Sequence, residues 1–196
     1  MRTKPILILA FAVGCASCLE AVKGPGAVPT AAPPASLVAA STLACEDHGP
    51  TPHKWTSNFD AKRVEHCVYH QRDDLLDVKL VDGEVDVYEV LIHEFKGSGS
   101  YVTGTGAKSS HVAVIARGGS EGATVTRVGT DHEACTASCT IEVPDAKVTT
   151  VDPGGKGSVT VELSCPTLAG PGPGCITCKV GTPAAKLTIP DCSRAD

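Results

Sequence analysis

Eight cysteines between residues 45 and 192 constrain the fold of this 196-residue chain more than any other feature. An even number of cysteines in a chain of this size is typical of an exported domain held by disulfides. Each native disulfide in such a domain contributes about 2 to 5 kcal/mol of stability. The sequence therefore predicts four disulfides among the following residues: Cys45, Cys67, Cys135, Cys139, Cys165, Cys175, Cys178 and Cys192.

The connectivity is open, because eight cysteines can pair in 105 ways. We expect this set of pairs: Cys45 with Cys67, Cys135 with Cys139, and two disulfides among Cys165, Cys175, Cys178 and Cys192. The Cys-x-x-Cys motif at 175–178 also suits a redox pair or half of a zinc site. It lies in a Gly-Pro-rich stretch and not at the start of a helix, which favours structural disulfides.

The first eighteen residues have the three parts of an export signal. Arg2 and Lys4 are basic, residues 6–13 form an apolar run, and small residues then lead to Cys15. The run is too short to span a bilayer, which takes about 20 residues of helix. We therefore expect a leader that is removed on export, and an extracytoplasmic compartment in which disulfides persist.

Ala12-Val13-Gly14-Cys15 resembles the lipobox of bacterial lipoproteins, in which a small residue precedes the cysteine that receives the lipid. Ala12 occupies the position that usually holds Leu, and Cys18 is an alternative lipid acceptor. The resemblance implies cleavage after residue 14, acylation of Cys15 and anchoring in a membrane of the bacterial cell envelope. Acylation by more than one chain gives stable anchoring.

Composition suggests three segments and excludes some partners. After the signal peptide of residues 1–14, an Ala/Pro-rich spacer covers residues 15–43, and a disulfide-rich domain covers 44–196, with a possible division into two sub-sheets near residue 130. Without Arg2 and Lys4 the chain has 15 basic and 22 acidic residues. This negative charge disfavours nucleic acid and anionic lipid surfaces, so we expect an envelope protein as partner.

Alternating apolar and polar residues predict a β-hairpin over residues 76–87. Asp82-Gly83 is a dipeptide favoured in two-residue hairpin turns. This turn would place Leu80 opposite Val85 and Val78 opposite Val87, with a bulge near Tyr88 where the alternation changes phase.

Further strands are predicted between Gly- and Pro-containing breaks. They are Val64–His70, Tyr101–Thr103, His111–Ala116, Ala123–Val128, Cys139–Val143, Val148–Val151, Val159–Cys165 and Leu187–Ile189. Many short strands without helical periodicity predict an all-β fold, a disulfide-rich antiparallel β-sandwich with an immunoglobulin-like rhythm in its C-terminal half.

Histidines of the first half are the candidate metal ligands: His48, His53, His66 and His70. Imidazole is a common ligand of zinc and copper, so an extracytoplasmic zinc or copper protein is an alternative function. On a straight strand His66 and His70 would be about 13 Å apart, too far to share one ion.

A catalytic interpretation has less support. Residues 118–122 match the Gly-x-Ser-x-Gly pattern of a hydrolase nucleophile elbow around Ser120, but that elbow must connect a strand to a helix, and a strand pattern follows here. We therefore expect a non-enzymatic structural or interaction module without a cofactor, and a serine hydrolase is a distant alternative.

Overall fold

The computed structural model describes residues 36–37, 41–59, 63–82, 85–106, 108–116, 118, 126–171, 174–181 and 185–196. These residues belong to one compact unit, Ala32–Asp196. They are almost entirely β-structure, which confirms the predicted all-β class. Their single helical turn is a 3₁₀ helix at Lys147–Thr149.

The described residues form thirteen strands. In chain order they are β1 Ser36–Leu37, β2 Ser41–Asp47, β3 Lys54–Phe59, β4 Arg63–His70, β5 Leu75–Asp82, β6 Val85–Ile92, β7 Gly99–Val102, β8 His111–Ala116, β9 Thr126–Gly129, β10 Ser138–Ala146, β11 Lys156–Gly170, β12 Ile176–Val180 and β13 Ala185–Ala195.

The strands pair into one large mixed sheet, in the order β1-β13-β4-β5-β6-β8-β9-β11-β12-β2-β3, with β10 and β7 branching from β11. Neighbours are antiparallel except β4 and β13, which run parallel. The first part of β11 pairs with β10 and β13, and its last residues pair with β9 and β12. The sheet is therefore organised around β11, and the predicted immunoglobulin-like sandwich is not confirmed.

The core is aliphatic, as the low aromatic content predicts. Tyr88 and Phe95 are the aromatic residues among the largest fully buried side chains, and the others are Leu, Ile and Val. In β10 and β11 alternate residues of the predicted strands Cys139–Val143 and Val159–Cys165 are buried. Cys139, Ile141 and Val143 are at most 2% exposed, and so are the alternating residues 159–165 of β11.

All eight cysteines of the domain form disulfides, but the expected pairing is wrong. The pairs are Cys45–Cys178, Cys67–Cys192, Cys135–Cys175 and Cys139–Cys165. Three of these pairs join neighbouring strands, so the pairing follows sheet topology and not proximity in sequence. The two cysteines of the Cys-x-x-Cys motif have different partners, which matches the structural interpretation of that motif.

The predicted hairpin is present with a different register. Asp82 pairs with Val85, while residues 83 and 84 lie outside the described ranges. Residues 83 and 84 thus connect the strands instead of Asp82 and Gly83, and this connection alone would pair Leu80 with Val87. A further one-residue shift between Leu80 and Val81 places Leu80 opposite Tyr88 instead of the predicted Val85. Asp86 pairs with Val81, so Val87 is the extra residue on β6. The bulge thus lies one residue from the predicted position.

The predicted strand Val148–Val151 is wrong, because the chain turns there into the 3₁₀ helix. The hydroxyls of Thr149 and Thr150 donate to the carbonyls of Ala146 and Lys147, each at 2.9 Å. Such local side-chain bonds offer the backbone an alternative to a strand ladder.

Four strands were not predicted: β1, β2, β3 and β12. Strand β2 begins at Ser41 and buries Leu43 completely, so the sheet extends into the stretch assigned to the spacer. Of the predicted strand Ala123–Val128, residues 126–128 belong to β9, and residues 123–125 are outside the described part.

Candidate functional site

Strand β7 lies at an edge of the sheet. Within the described ranges it pairs with β10 alone, from Gly99 opposite Val143 to Val102 opposite Thr140. Its second side carries no strand from the part of the chain that the structure describes, but the next residue, Thr103, forms an isolated parallel bridge with Ser110 there. An edge strand of this kind can pair with another chain through its backbone.

The alternation of the β7 ladder identifies the groups on the open side. The Thr103 N–H donates to the Cys139 carbonyl at 3.2 Å, so this pair faces inward between the two chains. In an antiparallel ladder the direction alternates with each residue, so Tyr101 also faces β10. The backbone groups of Ser100 and Val102 therefore point away from β10. In the Thr103–Ser110 bridge the Gly104 N–H donates to the Ser110 carbonyl at 3.0 Å, and the Val102 carbonyl accepts the Ser110 N–H. The Ser100 N–H, the Ser100 carbonyl and the Val102 N–H remain on the open side.

Val102 is unusually exposed for an apolar residue. It is 75% exposed and is the single large hydrophobic side chain exposed among the described residues. Ser100 is also exposed and donates its hydroxyl to the Glu142 carboxylate at 2.7 Å. Tyr101 between them packs against the core. The strand thus has an anchored inner face and an outer face with one apolar contact.

A groove of about 400 Å³ runs along β7. It is lined by Ser100, Tyr101 and Val102 of the strand, and on other sides by residues 93–94 and 108–110. The Ser110 hydroxyl accepts a hydrogen bond from the His93 N–H at 3.0 Å, which ties two lining segments together. The open backbone groups of β7 therefore border a preformed groove.

The edge strand β3 differs from β7 in having a charged residue, which affects pairing with another chain. Strand β3 ends the sheet order and begins with Lys54, whose ammonium group is 3.1 Å from the Glu46 carboxylate. Charged side chains, lysine above all, are a usual protection against edge-to-edge association. Strand β7 has the sequence Gly-Ser-Tyr-Val and carries neither charge nor proline.

A second polar cluster links β6, β8 and β9. Glu89 is 3.1 Å from Arg127 and 3.7 Å from His111, and Arg127 is 2.9 Å from Asp131. The nearby His111 imidazole, with help from the Arg127 guanidinium, lowers the pKa of Glu89 to about 2 despite partial burial. Partial burial disfavours the charged form of Arg127, but Glu89 and Asp131 raise its pKa above the usual value. These opposite charges pair with one another, so the cluster links strands β6, β8 and β9 and has a structural role.

The structure does not bring the candidate metal ligands together. His48 Nε2 lies 2.8 Å from the Thr177 hydroxyl, His66 Nε2 lies 2.9 Å from Asp77, and the His53 ring stacks on a tryptophan. His70 ends β4, away from the β2–β3 connection. No group of three or more His, Cys, Asp or Glu among the described residues is arranged to hold a metal ion.

Several predicted site residues lie outside the described ranges. These are the lipid acceptor Cys15, its alternative Cys18 and the candidate nucleophile Ser120. In contrast, the open side of β7 was missed at the sequence level. An uncharged, proline-free strand bordered by Gly-Ser and Thr-Gly pairs is the signal that could have indicated it.

No protein-family model, curated protein or solved structure matches the chain. No helix within the described ranges is long and apolar enough to cross a membrane. The edge and groove of β7 are therefore identified as a candidate interaction site by their geometry alone.

Proposed function

We propose that this protein is an exported, lipid-anchored β module that binds an extended segment of a partner protein at the cell envelope. The observation that carries the proposal is the open, uncharged side of β7 with Val102 75% exposed on it. Addition of a strand to a sheet edge is a common mode of peptide recognition, in which backbone hydrogen bonds supply affinity and side-chain contacts supply specificity.

The partner segment would be short and mainly uncharged. Four residues of strand span about 13 Å, and the outward groups of Ser100 and Val102 that the Thr103–Ser110 bridge leaves open are two donors and one acceptor. The groove beside them is lined by His93, Glu94 and Lys108, whose charges nearly balance. Backbone pairing and an apolar contact with Val102 would therefore select the segment more than charge does.

The disulfide framework supports this role by holding the edge rigid. Strand β7 pairs with β10, and Cys139 of β10 is bonded to Cys165 of β11. The central strand of the sheet thus fixes the strand that presents the site. A preorganised edge loses less conformational entropy on binding, which favours affinity.

A lipid anchor would hold the β module at the membrane. Acylation of Cys15, with Cys18 as the alternative, would fix the N-terminus to the membrane, and the Ala/Pro-rich spacer would separate the folded domain from the lipid. The proposal assigns no catalytic residue and no cofactor to the protein.

Site-specific photo-crosslinking in the cells that make the protein tests the binding surface. A benzophenone amino acid at Ser100 should give one adduct of discrete mass, and the same group at Asn58 on β3 should not. Val102→Lys should reduce the Ser100 adduct by about tenfold or more, since an edge charge opposes pairing. Val102→Thr, which keeps the branched shape, should retain most of it. An adduct unaffected by Val102→Lys would contradict the assignment of the site.

Membrane fractionation of two variants tests the anchor. Cys15→Ala should release the protein into the soluble fraction, while Cys18→Ala should leave it attached. The opposite pattern would move the lipid to Cys18, and membrane attachment of both single variants and of the double variant would exclude lipid anchoring at either cysteine.

A further inference from the structure

Three of the four disulfides are built into the strand ladders. Cys178 lies directly opposite Cys45 in the pair of β12 with β2. The other two join β4 to β13 and β10 to β11. All six cysteines of these disulfides are at most 5% exposed. A reductant reaches such sulfur atoms only when paired strands open, which limits the rate of attack.

The fourth disulfide lies in a different environment. Cys135 belongs to the connection between β9 and β10, and Cys175 to the connection between β11 and β12. Cys135 is 9% exposed, and Cys175 is partly exposed. No strand pair has to separate before a thiolate reaches this disulfide, because neither cysteine belongs to a strand.

The backbone at Cys175 is held in an unfavourable conformation. Its φ is +70°, in the left-handed region that residues other than glycine rarely adopt, and Gly174 before it has φ +72°. The disulfide fixes this residue from one side. From the other side the Cys175 carbonyl accepts the His48 N–H at 3.2 Å. Opening the disulfide therefore removes a covalent contact that helps to maintain this conformation.

We propose that Cys135–Cys175 is a thiol-exchange site, which a dithiol reductant of the envelope cleaves while the other three disulfides remain intact. A thiolate of the reductant attacks the more exposed Cys175 Sγ, forms a mixed disulfide and releases Cys135 as a thiolate that takes up a proton. The second thiol of the reductant, once deprotonated, then attacks its own partner sulfur. Cys175 leaves as a thiolate, two electrons have passed to the protein, and the reductant has become a disulfide.

Cleavage of the Cys135–Cys175 disulfide would affect the start of the β2–β3 connection, at His48. Gly174 packs directly against the His48 carbonyl, so the loop of Cys175 and the residue after β2 form one contact region. Cys45–Cys178 continues to hold β2 to β12. We therefore expect local loosening around His48, Gly174 and Cys175, without unfolding of the sheet. Strand β7 does not pair with these segments, so this proposal stands or fails independently of the proposed partner binding.

Timed reduction of the native full-length protein with dithiothreitol tests the proposal. Thiols already free are first blocked with N-ethylmaleimide, and thiols that appear during reduction are labelled with iodoacetamide and mapped by mass spectrometry. Cys135 and Cys175 should be labelled together, about tenfold or more faster than the other six cysteines of the domain.

The double variant Cys135→Ser/Cys175→Ser is the matched control. It should lose the fast labelling phase and keep the slow one. First labelling at any of the other six cysteines of the wild-type protein, or release of all eight thiols in one phase, would overturn the proposal. The wild-type time course decides this even if the double variant fails to fold.

Discussion

Val102 of β7 lies directly opposite Thr140 of β10, yet Val102 is 75% exposed. One edge of β7 is thus engaged in the sheet, while the other edge has open backbone groups, and the Val102 side chain lies on the solvent-facing surface beside them. Folding and binding use different sides of the same strand, so substitutions on the open side should separate the two.

Val102→Lys should therefore leave the fold intact. An exposed substitution away from the core usually changes stability by no more than about 0.5 kcal/mol. Thermal or urea unfolding of the wild type and the variant should give the same midpoint within that limit. A loss of several kcal/mol would mean that Val102 has a structural role, and the crosslinking result for this variant would then need another explanation.

Glu89 should make stability depend on acid pH. Its pKa is lowered from 4.5 to about 2 in the folded protein, chiefly by the nearby His111 imidazole and then by Arg127. A folded-state pKa below the unfolded value stabilises the fold above the unfolded value, and this contribution is lost as pH falls through the folded value. Because Glu89 is partly exposed, we expect a contribution of no more than about 1 kcal/mol.

Urea unfolding of Glu89→Gln and wild type, compared from pH 7 to pH 2, measures this contribution. The difference in the free energy of unfolding between the two proteins should be constant above about pH 5. It should shrink as pH falls from the unfolded-state pKa of Glu89 to its folded-state pKa. A difference that persists unchanged at pH 2 would show that charge on Glu89 is not its cause.

Arg194 should stabilise the fold more than an ordinary surface cation does. Its guanidinium donates to the Gln71 amide oxygen at 2.6 Å, to the Thr149 carbonyl at 3.1 Å and also to the Val151 carbonyl. These bonds tie β13 to the end of the 3₁₀ helix and to the turn after β4. Arg194→Ala should cost about 1.5 to 3 kcal/mol in urea unfolding, the range for hydrogen bonds to a charged group.

Two further variants test that assignment. Arg194→Lys should restore little, because an ammonium group cannot reproduce the planar fork of donors. Lys186→Ala removes a cation from an exposed ion pair with Glu162 and should cost less than about 1 kcal/mol. Equal losses for Arg194→Ala and Lys186→Ala would contradict a special role for Arg194.

Gly118 should not accept a side chain. Its φ is +129°, and a Cβ there would lie 2.5 Å from Cδ1 of Trp55. Trp55 is the single tryptophan of the chain, so its emission reports this contact. Gly118→Ala should shift the emission and destabilise the fold. Gly154→Ala is the control, since Gly154 has φ +79° but no atom within 4 Å of an added Cβ. Gly154→Ala should lower the free energy of unfolding by about 1 to 2 kcal/mol, which is the cost of the backbone conformation alone.

The features that could be predicted from the sequence are those that depend on residues close to one another in the chain. The apolar run at residues 111–116 predicts β8 with its observed bounds, and the alternating cysteine and aliphatic residues of β10 and β11 predict their buried faces. The hairpin itself was predictable from turn chemistry, but its register depended on a connection one residue further along the chain and on a bulge at Val87 that the flanking pattern placed only approximately.

What could not be predicted depends on contacts distant in sequence. Strands β2 and β12 pair across more than 120 residues and are joined by Cys45–Cys178 at a sequence separation of 133. Neither segment has a strong pattern of its own. The open side of β7 has the same cause, since a strand is recognised as an edge only when its single neighbour, β10, is known.

Residue-resolved amide hydrogen exchange of β7 tests the central claim most directly. The protein is compared in its own membranes, where a partner can be bound, and after purification without the partner. The outward amides of Ser100 and Val102 should exchange readily in the purified protein and be slowed by about tenfold or more in membranes. The Tyr101 amide, which faces β10, should be protected in both. Equal exchange of the Ser100 and Val102 amides in the two preparations would contradict the binding of a partner strand at this edge.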